Sequence, residues 1–158
     1  MLIAESRRTR TLVLRLDRKD LLHDRLLSVC RERGVLCAAV RGLGAFEEAE
    51  LVEYDQTRKA YRPSQTFRGA MELLSLQGNV SEKDGAPFLH LHAVVSRERE
   101  DQVRRIEVLG GHLVRAIVFA AEVTLDCYED LRLHRLPDES TGLALWGRCE
   151  AVARPASP

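Results

Sequence analysis

The sequence has no apolar run long enough to cross a membrane. A bilayer-spanning helix needs roughly 18 or more apolar residues in succession, and no stretch of the 158-residue chain approaches that length. The first ten residues, MLIAESRRTR, also lack the apolar core of a secretory signal. We therefore expect a cytoplasmic protein with no membrane partner, and the length is that of one domain.

An excess of charge of one sign is also lacking. The chain has 24 basic and 24 acidic residues, and only 5% of its residues are aromatic. Nucleic-acid binders usually carry a basic surplus, because release of counterions from phosphates supplies much of their affinity. The basic residues of 97–105 are interleaved with acidic ones, which predicts a solvated loop. The composition therefore disfavours DNA binding.

Cysteine is sparse and shows no pattern. The four cysteines are Cys30, Cys37, Cys127 and Cys149, without a Cys-x-x-Cys spacing. The first three have apolar neighbours, which is typical of buried thiols that neither react nor bind metal.

Most of the sequence has the residue pattern of β-strands. Residues 9–17 alternate apolar and polar side chains, which predicts a strand, and 20–33 have helical periodicity that ends at Gly34. Gly42 and Gly44 predict a turn, and Asp84–Gly85 predicts a hairpin tip. Further strands are predicted at 35–42, 45–55, 61–67, 71–80, 87–95 and 112–129.

These elements define the expected fold class and its bounds. We predict an α/β (α+β) fold, a mainly antiparallel or mixed β-sheet sandwich with flanking helices. A single domain should cover residues 1–152, followed by a flexible tail at 153–158.

Three histidines are the candidate site. In a strand, His90 and His92 of PFLHLHAVV project from one face, roughly 6 to 7 Å apart. His112 follows Gly110 and Gly111, which permit a tight turn and close backbone approach. Three histidines on an ion such as zinc leave a fourth position open. The alternative is that His90 and His92 are half-buried side chains hydrogen-bonded to their neighbours.

Other ionisable residues receive different interpretations. Glu122 lies among Ala120, Ala121 and Val123, which predicts a buried carboxylate needing a cation, a donor or a proton. In an unbroken strand Glu122 and His112 would lie on the same face, but ten residues of strand span roughly 33 Å. The strand would therefore have to bend for both side chains to approach one ion. His23 is interpreted as a surface residue of the helix, and His134, between arginines, is left out of the site.

Three stretches of the chain carry a family resemblance: GVLCAAVRGLGAFEEAELVEYD, LLSLQGNVSEKDGAPFLHLHAVVS and VLGGHLVRAIVFAAEVTL. They resemble the PPC domain, the plant and prokaryote conserved domain that plants fuse to AT-hook motifs. The resemblance extends from about Thr11 to Tyr128. It implies a trimeric α/β domain in which His90, His92 and His112 bind metal, and it places Glu122 on the closing strand.

The chain also departs from that family's pattern. Lys19 and Asp20 replace a common Gly-Glu, Ala116 replaces a frequent glycine, and the charged run SREREDQVRRIE lengthens the connection after His92. No AT-hook core is present.

Three function classes follow from these residues. The first is a zinc-binding PPC-like domain that forms a homotrimer and acts either as a binding module for an unknown small ligand or as a regulatory module. The second is a metal-dependent hydrolase or lyase that uses the open coordination position and Glu122 as a base. The third is the DNA association that the family's plant members suggest.

Overall fold

The structure is a computed structural model that describes residues 1–99 and 105–153. Within that part, one helix is accompanied by nine strands. In chain order these are β1 (Thr9–Leu16), α1 (Leu22–Arg33), β2 (Ala38–Val52), β3 (Tyr54–Asp55), β4 (Ala60–Tyr61), β5 (Gln65–Lys83), β6 (Ala86–Arg99), β7 (Arg105–Tyr128), β8 (Leu131–Asp138) and β9 (Leu143–Ala151).

Four long strands close into a ring. Strand β2 pairs with β5, β5 with β6, β6 with β7, and β7 again with β2, and every one of these pairings is antiparallel. Strand β1 adds to the outer edge of β7. The predicted fold class, a mainly antiparallel sheet combined with helix, is confirmed, and the sheet is closed and barrel-like. Closure removes open edges from the ring strands.

The ring strands are longer than the sequence pattern predicts. Gly42 and Gly44 were expected to form a turn, but they lie within β2, at a register shift between them. Gly44 has a φ of 148°, and a Cβ there would lie 2.2 Å from the carbonyl oxygen of Ala120. Glycine is therefore required for the close approach of β2 and β7, and the chain continues as strand instead of turning.

Helix α1 packs against β6 and β7. Its buried residues, Leu22, Leu26 and Cys30, recur every four residues and join the core contributed by the ring strands. The helix ends at Gly34, which has left-handed backbone angles (φ 63°, ψ 34°), as the sequence predicts. No helical segment in the described ranges is both long and apolar enough to cross a membrane.

The charged run after the histidine strand is a second correction. Its described residues are not a solvated loop but paired strand, with Arg97 opposite Glu107 and Arg99 opposite Arg105. Arg97 also forms an ion pair with Glu107 at 2.5 Å, and such cross-strand pairs stabilise a hairpin. Residues 100–104 lie outside the described residues, as do residues 154–158 of the predicted tail.

The C-terminal hairpin of β8 and β9 lies beside the ring. Strand β8 pairs in parallel with β5 through Glu82 and His134 alone, whereas β8 and β9 pair along their whole length. The turn between β8 and β9 contacts the β3–β4 hairpin, because Tyr54 donates a hydrogen bond to the carbonyl oxygen of Thr141 at 2.7 Å.

Candidate metal centre

The three histidines come together through strand register. Along β6, Leu89, Leu91 and Ala93 point into the core, so His90 and His92 point away from it on the other face. His112 on β7 lies directly opposite His92 across the antiparallel pair. The predicted hairpin tip at Asp84 and Gly85, which precedes β6, is confirmed: both residues have a positive φ, 52° at Asp84 and 79° at Gly85.

Gly110 and Gly111 serve this arrangement by close approach and not by turning the chain. Both are paired residues of β7, opposite Val94 and Ala93, so the predicted tight turn is wrong. A Cβ on Gly111 would meet the carbonyl oxygen of Val52 at 3.2 Å. The small residue lets β2 lie close to β7 immediately beside His112.

The geometry of the three rings suits a common ion. One ring nitrogen from each histidine lies within 4.8 Å of the other two. The Nε2 atoms of His90 and His92 are 3.2 Å apart, and the ring centroids of the three pairs are separated by 5.0, 5.2 and 5.4 Å. In a tetrahedral zinc site with bonds near 2.0 Å, ligand nitrogens are about 3.3 Å apart. The Nε2 atoms of His90 and His92 already have that spacing, and the His112 nitrogen lies within 4.8 Å of both rings.

Burial favours the neutral form of two of the rings. Burial lowers the pKa of His112 to about 4, assisted by repulsion from His90 and His92. Burial also lowers the pKa of His90, and the guanidinium of Arg135 adds to the effect. A metal ligand must present an unprotonated ring nitrogen. In addition, Nδ1 of His112 is buried without a hydrogen-bond partner, so the ring has bonding capacity that its described neighbours leave unused.

The cluster opens into a cavity of about 790 Å³ between the sheet and the two hairpins. Tyr54 and Tyr61 form one wall, with the ring of Tyr61 centred 5.4 Å from that of His112. His92 is exposed, whereas His90 and His112 are half-buried. The cavity is large enough for a small organic ligand to reach an ion held by the histidines.

Two other predicted positions differ from expectation. Glu122 is exposed, because β7 alternates there and Ala121 and Val123 take the inward positions. It lines a different cavity, with Val13, Leu43 and Leu74, and is not part of the histidine cluster. Apolar neighbours in the sequence therefore indicated a buried strand but not which of its faces carries the carboxylate.

His23 is the second correction, because it is half-buried and not a surface residue. Burial lowers the pKa of its ring, and Nδ1 is buried without a hydrogen-bond partner. No ligand-competent grouping in the described ranges includes it. His134, excluded by the sequence reasoning, does lie elsewhere, with its ring nitrogens 3.0 and 3.3 Å from carboxylates of Glu82 and Glu150.

Arg135 is a neighbour that sequence reasoning missed. It lies one residue from His134 in a segment that resembles polar surface, yet only 9% of it is exposed. Together with His90 and Asn79 it lines a second cavity of about 360 Å³. No signal in the sequence distinguishes this arginine from the exposed ones around it.

Residues 3–126 match the Plants and Prokaryotes Conserved (PCC) domain, and the chain belongs to that family. No curated protein matches it significantly. Among solved structures, it is similar to a metal-containing protein from Archaeoglobus fulgidus, at 36% identity and a TM-score of 0.84, with 94% of this chain and 100% of that one covered.

Two further solved structures resemble the chain. A plant- and prokaryote-conserved protein of Pyrococcus horikoshii is 32% identical with a TM-score of 0.81, and 94% of this chain and 98% of that one are covered. A "putative DNA binding protein" of Bacteroides thetaiotaomicron is 30% identical with a TM-score of 0.76, with coverages of 87% and 91%.

Proposed function

We propose that this protein is a metal-binding domain whose ion is held by His90, His92 and His112, and that the ion is zinc. The observation that carries the proposal is the convergence of three ring nitrogens, each within 4.8 Å of the others, at the wall of an open cavity. Neutral imidazoles are ligands that zinc prefers. The likeness to a solved metal-containing protein supports the same conclusion.

The arrangement leaves room for more than the three histidines. Zinc with three protein ligands keeps a fourth position for water or another donor, and the ion acts there as a Lewis acid. His92 is exposed toward the cavity, so that position is accessible from solvent. We therefore infer that the domain binds a small ligand through the ion and acts as a regulatory module.

An enzymatic role with Glu122 as base does not follow from this geometry. The carboxylate lines a different cavity from the histidines. A general base must come within hydrogen-bond reach of the proton that it removes, directly or through one water.

Elemental analysis of the purified protein tests the site. We expect close to one zinc per chain in the natural sequence and none in a His90→Ala, His92→Ala double variant. Metal retained by the double variant, or absent from both proteins, would contradict the proposed ligand set.

We also propose that three copies of the chain assemble, as the family resemblance implies. Exposed apolar side chains support an interface: Val13 is 81% exposed, Leu43 58% and Leu74 53%, and all three surround one cavity on the ring surface. Such patches are typical of protein contact sites. Sedimentation of the natural protein should give a trimer mass, and Leu43→Glu should give a monomer. A monomeric natural protein would refute the assembly.

A further inference from the structure

Arg135 is a buried cation with neutral partners. In the described ranges it is the only lysine or arginine in the buried class, with 9% of its surface exposed. Its Nε donates to Oγ of Ser81 at 2.8 Å, one terminal nitrogen donates to the carbonyl oxygen of Ala144 at 2.7 Å, and the other to Oδ1 of Asn79 at 2.8 Å. The guanidinium also lies 5.1 Å from the ring centroid of Phe88.

These contacts satisfy hydrogen bonds without balancing the charge. None of the acceptors is a carboxylate, and no ion pair to Arg135 occurs between described residues. An arginine stays protonated at neutral pH, and transfer of an unpaired charge out of water is costly. A buried guanidinium without a counterion is therefore stabilised by any anion that reaches it.

The guanidinium has donors left for such an anion. A guanidinium carries five N–H groups, and one on Nε and one on each terminal nitrogen are engaged. Each terminal nitrogen keeps one more N–H. Two donors on neighbouring nitrogens match the two oxygens of a carboxylate.

The position of this cation connects it to the histidine cluster. Arg135, Asn79 and His90 line the cavity of about 360 Å³, together with the apolar residues Leu2, Leu145 and Trp146. His90 also lines the larger cavity that contains His92 and His112. Asn79, which accepts a hydrogen bond from Arg135, is the cross-strand partner of His90, the residue that both cavities share.

We propose that Arg135 binds the carboxylate of a small organic acid whose other end coordinates the ion held by the three histidines. The inference rests on the proposed metal site and specifies the class of its ligand. One positive charge and two available donors suit a monocarboxylate, whereas a phosphate dianion would need further cationic groups. Among the described residues, Arg135 is the only lysine or arginine that lines this cavity. The apolar wall from Leu145 and Trp146 suits the carbon chain of such an acid.

The test uses the full chain loaded with cobalt, which reports a bound thiolate by its absorption. The probes are mercaptoacetate, mercaptopropionate and mercaptobutyrate, each compared with its uncharged amide, so that the length series covers the span from ion to Arg135. We expect the best acid to bind the natural protein roughly 10-fold or more tighter than its amide, the value of a charge-assisted hydrogen bond. In Arg135→Gln this preference should disappear while the cobalt content is unchanged.

Arg148→Gln is the matched control, because it removes the same charge from β9 at a side chain that is 58% exposed. It should retain the preference for the acid. If Arg135→Gln does not fold, Asn79→Asp serves in its place: it sets a fixed carboxylate against the same guanidinium and should also abolish the preference.

The outcomes separate the two proposals. The role of Arg135 would be overturned, and the metal site would stand, in two cases. In the first, the natural protein binds cobalt but shows no preference for acids over amides. In the second, Arg135→Gln or Asn79→Asp retains that preference. A natural protein that takes up no cobalt would refute the metal site and this inference with it.

Discussion

Removal of one histidine side chain should eliminate stabilisation by zinc without harming the fold. His92 is the suitable position because its side chain is exposed and its neighbours on β6, Leu91 and Ala93, supply the buried contacts. Surface substitutions away from special features usually change stability by less than about 0.5 kcal/mol. We therefore expect His92→Ala to unfold, without metal, at nearly the temperature of the natural protein.

The effect of zinc on the natural protein follows from linkage. An ion that binds only the folded state stabilises it by about 4.1 kcal/mol at 1,000 times its Kd. For a domain of this size, 1 kcal/mol corresponds to roughly 2–4 °C in Tm, so zinc should raise Tm by roughly 8–16 °C. His92→Ala should lose most of that rise, because only two of the three ring nitrogens remain.

Calorimetry with and without zinc measures both quantities. Val94→Ala is the control: Val94 lies two residues further along the same face of β6, is 39% exposed and has no ligand atom. It should keep the full zinc-induced rise. The three-histidine assignment is wrong if His92→Ala shows the same rise as the control.

Four further predictions concern the thiols, the core and nucleic acid. Burial raises the pKa of Cys30 to about 11 and of Cys37 to about 12. In the native state a thiol reagent should therefore modify half-buried Cys149 well before either, and equal rates would contradict the burial. The same two thiols ionise more readily in the unfolded chain, so their contribution to the free energy of unfolding is intact below about pH 9 and should fall as pH rises toward 11. Tm measured at a series of pH values tests this, and a constant Tm over that range would contradict the expected loss of stability. Phe46 is fully buried, so Phe46→Ala should lower the free energy of unfolding in urea by about 3–5 kcal/mol, and a loss under 1 kcal/mol would place it outside the core. With 24 basic and 24 acidic residues, the protein should not retard random duplex DNA even at low salt, and a salt-sensitive shift would restore DNA association as a function.

The periodicity of the sequence predicted much of the fold and the centre of the site. The alternation around Leu91 placed His90 and His92 on one face, and the helix ends at Gly34 as expected. These features depend on residues that are neighbours in the sequence, so they can be predicted from one sequence alone.

Features that depend on distant strands could not be predicted in the same way. Gly44 and Gly111 resemble turn residues, but Gly44 is required by the backbone of β7, and Gly111 lies in tight contact with the backbone of β2. Glu122 has the same parity as His112, yet the inward positions of β7 change from odd to even and back between Leu113 and Ala121, so parity does not carry along the strand. The burial of Arg135 arises from contacts with residues more than fifty positions away in the chain, Ser81 and Asn79.

The hairpin of β8 and β9 lies beyond residues 3–126, the portion that matches the family. The histidines therefore lie within the part of the chain that matches the family model, whereas Arg135 lies on a hairpin beyond it, whose backbone pairs with β5 at one position. Substitutions in this hairpin can alter the surroundings of the guanidinium while the ion-binding strands stay unchanged. Ligand preference should therefore follow the hairpin, and ion binding should follow the three imidazoles of the ring strands.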